Sequence, residues 1–156
     1  MSTKHIRKEH NVSLLMYHLV CPVKYRKGVF TEEVEKTLKN ICIEIEKRYE
    51  VHFIEIGTDN DHVHFLLQSI PTYSPSSLTQ KIKSITAIQI FKKHPNIKKE
   101  VLWGGQFWTK GFYINTVGKF ANEEIMKNYV KNQGLSKKHQ ASYRKVYFNP
   151  KQDPLF

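Results

Sequence analysis

The sequence lacks any apolar run that approaches the roughly 20 residues needed to span a bilayer. Its basic, polar beginning also lacks the apolar core of a signal peptide. Only two cysteines are present, Cys21 and Cys42, and they do not fall at a metal-motif spacing. These absences exclude a membrane-spanning helix, and they predict reduced thiols in an intracellular, cytoplasmic protein.

Acidic residues are also scarce. Fourteen Asp and Glu stand against 25 Lys and Arg, so the formal net charge is +11 and the sequence pI is about 9.6. Such an excess of positive charge suits a polyanionic partner, and nucleic acid is the usual one. A basic surface that serves only solubility gives the same composition, so charge alone leaves both interpretations open.

The length and composition predict one folded domain. The chain has 156 residues, of which 40% are hydrophobic, and this is enough for a packed core. Neither an internal repeat nor a long linker interrupts it. We expect residues 1–156 to form a single domain, with a folded core over about 11–135 and a basic tail over about 136–156.

The hydrophobic periodicity predicts the order strand, helix, strand, strand, helix, strand. This order is typical of a ferredoxin-like, RRM-like α+β sandwich, in which helices cover one face of an antiparallel sheet. A further helix near the C-terminus would be added to that core. The predicted elements are a buried strand over 12–20, a helix after Thr31, strands over 51–56 and from 62, a helix after Ser74, a strand over 112–117 and a helix over 122–132.

Two histidines begin the third predicted strand, in the stretch Asp61-His62-Val63-His64-Phe65-Leu66-Leu67-Gln68. Side chains alternate along a strand, so His62 and His64 project from one face, roughly 6.5–7 Å apart. Their apolar neighbours would point to the helices, which leaves the histidines on the free face of the sheet. Two imidazoles at this spacing can bind one metal ion. The alternative is a pair of ordinary histidines at a strand edge.

Tyr129 and Gln133 lie four residues apart on the last predicted helix, and therefore on one face of it. A tyrosine on an amphipathic helix is most often a core or rim aromatic. A glutamine one turn further on has no evident packing purpose, although Ile125 could bury the same face. The pair is thus a second candidate for chemistry.

Several segments in the same order resemble the small transposases of the insertion-sequence 200/605 type, which are HUH (His, hydrophobic, His) enzymes with one catalytic tyrosine. The resemblance extends over about residues 12–135, and the chain has no second tyrosine three or four residues from Tyr129. The segments are Tyr17-His18-Leu19-Val20, Lys24-Tyr25-Arg26, Asp61-His62-Val63-His64-Phe65-Leu66-Leu67, Thr116-Val117-Gly118 and Tyr129-Val130-Lys131-Asn132-Gln133.

The resemblance implies a role for each matching residue. His62, His64 and Gln133 would be metal ligands, and Tyr129 would be the nucleophile that forms a 5′-phosphotyrosine link to single-stranded DNA. The metal would be Mg²⁺ or Mn²⁺; imidazoles suit manganese or zinc, whereas the amide and phosphate oxygens suit magnesium. The resemblance also implies hairpin-bearing DNA ends, a prokaryotic nucleoid-associated protein, and a homodimer whose subunits share their active sites.

Three other functions fit some of these features. Transposases associated with repetitive extragenic palindromes share the same motifs. A non-catalytic nucleic-acid-binding relative would use only the basic and aromatic residues. A metal-dependent hydrolase of small phosphate esters would use only the metal site.

Basic and aromatic residues could also contact DNA by pairing with phosphates and stacking on bases. Charge, together with the aromatic ring in the second candidate, is the only basis for this expectation, and the alternative for each is a solvated surface side chain. The candidates are Lys24, Tyr25, Arg26, Lys81, Lys83 and Lys110.

Overall fold

The structure of the protein is a computed structural model that describes residues 5–118. In chain order the elements are strands β1 (Ile6–Arg7), β2 (Val12–Ser13) and β3 (Leu15–Pro22), helix α1 (Glu32–Arg48), strands β4 (His52–Asp59) and β5 (His62–Ser69), helix α2 (Pro75–Lys93) and strand β6 (Tyr113–Val117). The centre of the structure is a four-stranded antiparallel sheet with the strand order β4-β5-β3-β6.

Both long helices begin where the sequence predicts. The Thr31 hydroxyl accepts a hydrogen bond from the Val34 amide at 3.3 Å, and acidic residues in the first turn of α1 interact favourably with the helix dipole. At α2, the Ser74 hydroxyl accepts from the Ser77 amide at 3.1 Å, and Pro75 occupies the first helical position. Local capping chemistry therefore fixes both helix starts.

The two helices pack on one face of the sheet. Val63, Phe65 and Leu67 of β5 belong to the main core, together with residues of α1 and α2 such as Leu38 and Ile82. Leu66, which points the opposite way, belongs to a smaller apolar cluster on the other side of the sheet. This arrangement confirms the predicted α+β sandwich with its helices on one face.

Strands β4 and β5 form a hairpin with a two-residue connection, Asn60–Asp61. The predicted boundary at residue 56 was wrong, because β4 continues to Asp59, which pairs with His62. The turn-forming residues 57–59 are held in the strand by this ladder. The Asn60 carbonyl accepts hydrogen bonds from the Val29 and Phe30 amides at 2.9 and 3.2 Å, so the turn is fixed from outside as well.

The predicted strand over 12–20 was also wrong at its ends. Val12–Ser13 pair with Ile6–Arg7 as a separate two-stranded sheet, and the long central strand runs from Leu15 to Pro22. Pro22 pairs with His62 at the end of the sheet, a position where a residue without an amide proton is tolerated. A short π-helix, Ile97–Val101, was not predicted.

Some predictions fall on other parts of the chain. The predicted helix over 122–132, with Tyr129 and Gln133 near its end, and the basic tail lie outside the described residues. Within residues 5–118, no helix is long and apolar enough to cross a membrane. The thiols of Cys21 and Cys42 are free and buried, and burial raises the pKa of Cys21 to about 12 despite the opposing charge of Lys83.

Candidate metal and DNA-cleavage site

His62 and His64 lie on the same side of β5, as the alternation of the strand predicts. Their ring centroids are 5.0 Å apart, and the rings meet edge to face at 67°. The predicted face is confirmed, because Val63 and Phe65 pack against the helices and the two histidines point to the opposite side. The pair is nevertheless not exposed there, since only 5% of His62 and 1% of His64 is accessible to solvent. One neighbour of His64 on this side of the sheet is a third histidine, His18 of β3. The pair is therefore part of the packed interior.

An ion-paired carboxylate orients His62. The Asp61 carboxylate accepts a hydrogen bond from His62 Nδ1 at 2.7 Å, and it accepts a second from Arg26 Nε at 3.1 Å. Partial burial opposes ionisation of this carboxyl, but the hydrogen bond from His62 and the charge of Arg26 together lower the pKa of Asp61. An ionised Asp61 keeps the Nδ1 proton on His62 and directs Nε2 away from the carboxylate.

His18 on β3 orients His64. His18 Nε2 and His64 Nδ1 lie 3.1 Å apart in a hydrogen bond, and the rings stack with centroids 5.2 Å apart. In the register of β3 and β5, Val20 lies opposite His64 and His18 lies opposite Leu66, so the two histidines are diagonal neighbours. In the sequence, His18 is notable only as part of one of the segments that carry the family resemblance. Its contact with His64 becomes visible only when the register of β3 and β5 is known.

Burial also fixes the charge of His18, because it lowers the pKa of this imidazole to about 3. In the unfolded chain the same group takes up a proton below about pH 6.5. The free energy of unfolding should therefore fall as the pH decreases from about 7 to 5, with His18 contributing a slope of up to about 1.4 kcal/mol per pH unit. Urea unfolding of metal-free wild type and His18→Gln at several pH values checks this. Equal slopes in the two proteins would contradict the buried, neutral state of His18.

The donor set fits a divalent metal. The Nδ1 atom of His62 is hydrogen-bonded to Asp61, and that of His64 is hydrogen-bonded to His18. A metal ion would therefore be coordinated by the Nε2 atoms of the two histidines. A carboxylate or similar acceptor behind a metal-binding histidine is the usual arrangement in metalloproteins. Among residues 5–118, no group of three or more His, Cys, Asp and Glu is placed to hold a metal ion. An amide such as that of Gln133, outside this range, would complete the set.

Three of the six DNA-contact candidates follow directly after β3. Lys24, Tyr25 and Arg26 form a short turn whose start is tied to the histidine strand, because the Val23 amide donates to the Asp61 carbonyl at 2.8 Å. Arg26 reaches Asp61, so its guanidinium supports the histidine site. The structure thus brings this turn to the end of the sheet where His62 lies.

The other three candidates make contacts with residues other than the histidines. The Lys81 ammonium is 5.1 and 5.3 Å from the ring centroids of Tyr49 and Tyr73, and Lys81 belongs to α2, on the opposite side of the sheet. The Lys83 ammonium donates to the main-chain carbonyls of Thr109 and Lys110 at 2.7 and 3.2 Å. Lys83 and Lys110 line a hollow of about 440 Å³ beside α2. DNA contact by these residues stays a prediction.

Comparisons with known proteins place the chain among DNA transposases. Residues 11–133 match the family described as "Transposase IS200 like". The chain is 34% identical over 119 residues to the ISDra2 transposase TnpA of Deinococcus radiodurans. The aligned region covers 76% of this chain and 84% of the relative. The chain is 29% identical over 117 residues to the transposase for insertion sequence element IS200 of Salmonella typhimurium, which covers 75% of each.

Two solved structures share the fold. A crystal structure of a candidate transposase from Deinococcus radiodurans R1 has a TM-score of 0.66 and 27% identity, and the match covers 84% of this chain and 99% of that one. A REP-associated tyrosine transposase bound to a REP hairpin has a TM-score of 0.55 and covers 83% of this chain and 70% of that one. At 13% identity, the second likeness concerns the fold alone.

The sheet, the helices on one face and the matches above define a DNA transposase domain. Within that class, the chain belongs to the IS200-like transposase family, since the family match includes most of its residues. Transposases of this kind cleave DNA and transfer strands, and the family generally uses a divalent metal ion.

Proposed function

We propose that this protein is a metal-dependent transposase that cleaves and rejoins single-stranded DNA through a covalent link to Tyr129. The observation that carries the proposal is the buried His62–His64 pair, with each ring held through Nδ1 by a neighbouring side chain. Such a pair followed by Tyr-x-x-x-Gln resembles the pattern of a single-tyrosine HUH enzyme, and membership of the transposase family supports this resemblance. Gln133 would be the third ligand.

The reaction would be a transesterification at phosphorus. The Tyr129 oxygen attacks, a Tyr–O–P bond forms, and the bond from phosphorus to the 3′-oxygen breaks. The phenol loses its proton, the departing strand gains one as a free 3′-OH, and the 5′-phosphate remains on the tyrosine. Since the link keeps the phosphodiester energy, a 3′-OH can attack it later and reseal DNA without ATP.

The residues around the phosphate would have separate tasks. A bound Mg²⁺ or Mn²⁺ would supply positive charge at the scissile phosphate and lower the cost of an anionic oxygen there. His62, His64 and Gln133 would hold it. Asp61 and His18 would fix the orientation of the two imidazoles through their hydrogen bonds to the Nδ1 atoms of His62 and His64.

The partner would be single-stranded DNA with hairpin-bearing ends. The net charge of +11 supports a polyanionic partner, and the REP-associated transposase of similar fold is described as bound to a REP hairpin. We further propose a homodimer in which the tyrosine helix of one subunit serves the histidine pair of the other. The family resemblance is the support for this arrangement.

Labelled DNA tests the proposed reaction. Two single-stranded oligonucleotides carry an element end, one labelled on the 5′ side of the cleavage site and the other on the 3′ side. After incubation with Mn²⁺, the 3′-side label should migrate with the protein on a denaturing gel, because that fragment keeps the phosphotyrosine. The 5′-side label should be released as a shortened strand with a free 3′-OH.

The other outcomes separate the competing functions. Cleavage with neither label attached to protein would favour a metal-dependent hydrolase. Binding without cleavage at any metal concentration would favour a non-catalytic relative. Attachment of the 5′-side label would reverse the proposed polarity and overturn the assigned chemistry.

A further inference from the structure

Two aromatic side chains are unusually exposed at one end of the sheet. Tyr25 is 73% exposed and Trp103 is 83% exposed. Between their two segments lies a hollow of about 210 Å³, lined by Lys24, Tyr25, Leu102, Gly104 and Gln106. Trp103 stands in the chain between two of these lining residues. Exposed aromatics beside a polar hollow require an explanation, because every other Phe, Tyr and Trp within residues 5–118 is buried or partly buried.

The main chain builds this hollow without help from the two rings. The Lys24 amide donates to the Phe107 carbonyl at 2.8 Å, and Val23 forms an isolated β-bridge with Trp108. On the other side, the Gly105 amide donates to the Leu102 carbonyl at 2.9 Å, in a turn where Gly105 has φ of +84°. The two walls therefore stay together if either exposed ring is removed.

The backbone at Tyr25 is in an unfavourable conformation. Tyr25 and Arg26 have φ of 58° and 54°, in the left-handed region that residues other than glycine rarely adopt. Consecutive residues of this kind occur where the surrounding structure enforces them, and they concentrate at ligand-binding sites. Here the turn exposes the Tyr25 ring while Arg26 reaches the Asp61 carboxylate.

The charge around the hollow suits a nucleotide. The Lys24 ammonium lies 5.2 Å from the centroid of the Tyr25 ring, so a cation and a stacking surface are adjacent. Aromatic rings with neighbouring cations are the usual means of binding single-stranded nucleic acid, since every base has a π face and every nucleotide a phosphate. Through Arg26, Asp61 and His62, the same turn is connected to the proposed cleavage site.

We propose that the hollow takes up one unpaired DNA base, which stacks on Tyr25 and Trp103 while Lys24 pairs with an adjacent phosphate. A volume of about 210 Å³ is below the ~300–1,000 Å³ of typical small-molecule pockets, which favours a single base over a larger ligand. This inference rests on the proposed function, because it assigns the single strand a path towards His62.

Tryptophan fluorescence tests the stacking directly, since the chain has only two tryptophans. Trp108 is 6% exposed and its indole donates to the Thr86 hydroxyl at 3.0 Å, so DNA should leave its signal unchanged. Titration with unlabelled oligodeoxythymidine should quench the emission of Trp103. The quenching should disappear in Trp103→Phe, and a fully paired duplex of equal length should not produce it.

Affinity measurements test the two rings separately. Tyr25→Ala and Trp103→Ala should each weaken oligodeoxythymidine binding by about 5- to 150-fold, the loss of one stacked base. Ile43→Ala is the matched control, because Ile43 is 50% exposed on α1, away from the hollow. Gly104→Leu adds bulk to a wall where a Cβ meets nothing within 4 Å, and it should weaken binding, whereas Gly111→Leu, equally unobstructed, should not.

The outcomes are distinguishable from those of the proposed function. Loss of affinity in both aromatic variants, with wild-type thermal stability, supports the base site even if no covalent adduct forms. Wild-type affinity in both variants, or unchanged fluorescence at saturating DNA, overturns it. In that case the covalent protein–DNA complex can still form, and the proposed cleavage reaction would stand although no base binds in this hollow. Equal binding of duplex and single strand would also overturn it.

Discussion

Tyr129→Phe should abolish the covalent protein–DNA complex. The substitution removes one oxygen, which is the atom proposed to attack phosphorus, and leaves the ring in place. Without it the chain has no route to a phosphotyrosine at this position, so neither cleavage nor strand joining should be detectable. The measurement is the amount of 3′-side label retained on a denaturing gel, at saturating DNA and Mn²⁺.

Binding and a second tyrosine provide the controls for this experiment. Tyr129→Phe should bind the same oligonucleotide with wild-type affinity, because the phosphate contacts that dominate affinity are unchanged. Tyr143→Phe, in the basic tail, should retain full activity. If the adduct persists in Tyr129→Phe and vanishes in Tyr143→Phe, the nucleophile has been assigned to the wrong tyrosine.

Replacement of either histidine by alanine should have the next largest effect. His62→Ala and His64→Ala each remove one proposed ligand, and a catalytic metal contributes several kcal/mol to charge stabilisation in the transition state. Cleavage should fall by more than about 10²-fold, since each 1.4 kcal/mol corresponds to a factor of ten. Mn²⁺ binding, followed by calorimetry or electron paramagnetic resonance in the absence of DNA, should weaken in parallel.

His52→Ala is the matched control for both variants. His52 also lies on a strand, but its side chain is 45% exposed and its Nδ1 is 3.2 Å from Glu46, remote from the paired rings. It should bind Mn²⁺ and cleave DNA as wild type does. Should His62→Ala lose DNA affinity while retaining Mn²⁺ affinity, the histidines would be contacting DNA and not metal. Circular dichroism of each variant separates these results from unfolding.

Local signals in the sequence were sufficient for the framework of the fold. Thr31 and Ser74 predicted the starts of both long helices, because a hydroxyl before an amphipathic segment caps it wherever the helix packs. The two-residue alternation along β5 likewise predicted that Val63 faces the helices and His64 does not. These properties depend on neighbours in the chain, so a single sequence reveals them.

Properties that depend on strand register were not predictable. His18 contacts His64 only because β3 pairs with β5 in one particular alignment, and 46 residues separate the two in the chain. The burial of the histidine pair was not predictable either, because it depends on what packs against this face of the sheet and not on neighbours in the chain. The charge of Arg26 is visible in the sequence, but its ion pair with Asp61 depends on the hairpin turn and the segment after β3 lying side by side.

The hairpin between β4 and β5 limits how this family member can vary in length. Asn60 and Asp61 are its only connecting residues, and an inserted residue would disturb the hydrogen bonds from Val29 and Phe30 to the Asn60 carbonyl. If the insertion also slipped the ladder by one residue, both imidazoles would turn towards the helices. Insertions among relatives should therefore accumulate elsewhere, for example around residues 103–106, where Gly104 has open space around it. The segment proposed to meet the DNA base can therefore become longer in evolution, whereas the turn directly before His62 cannot.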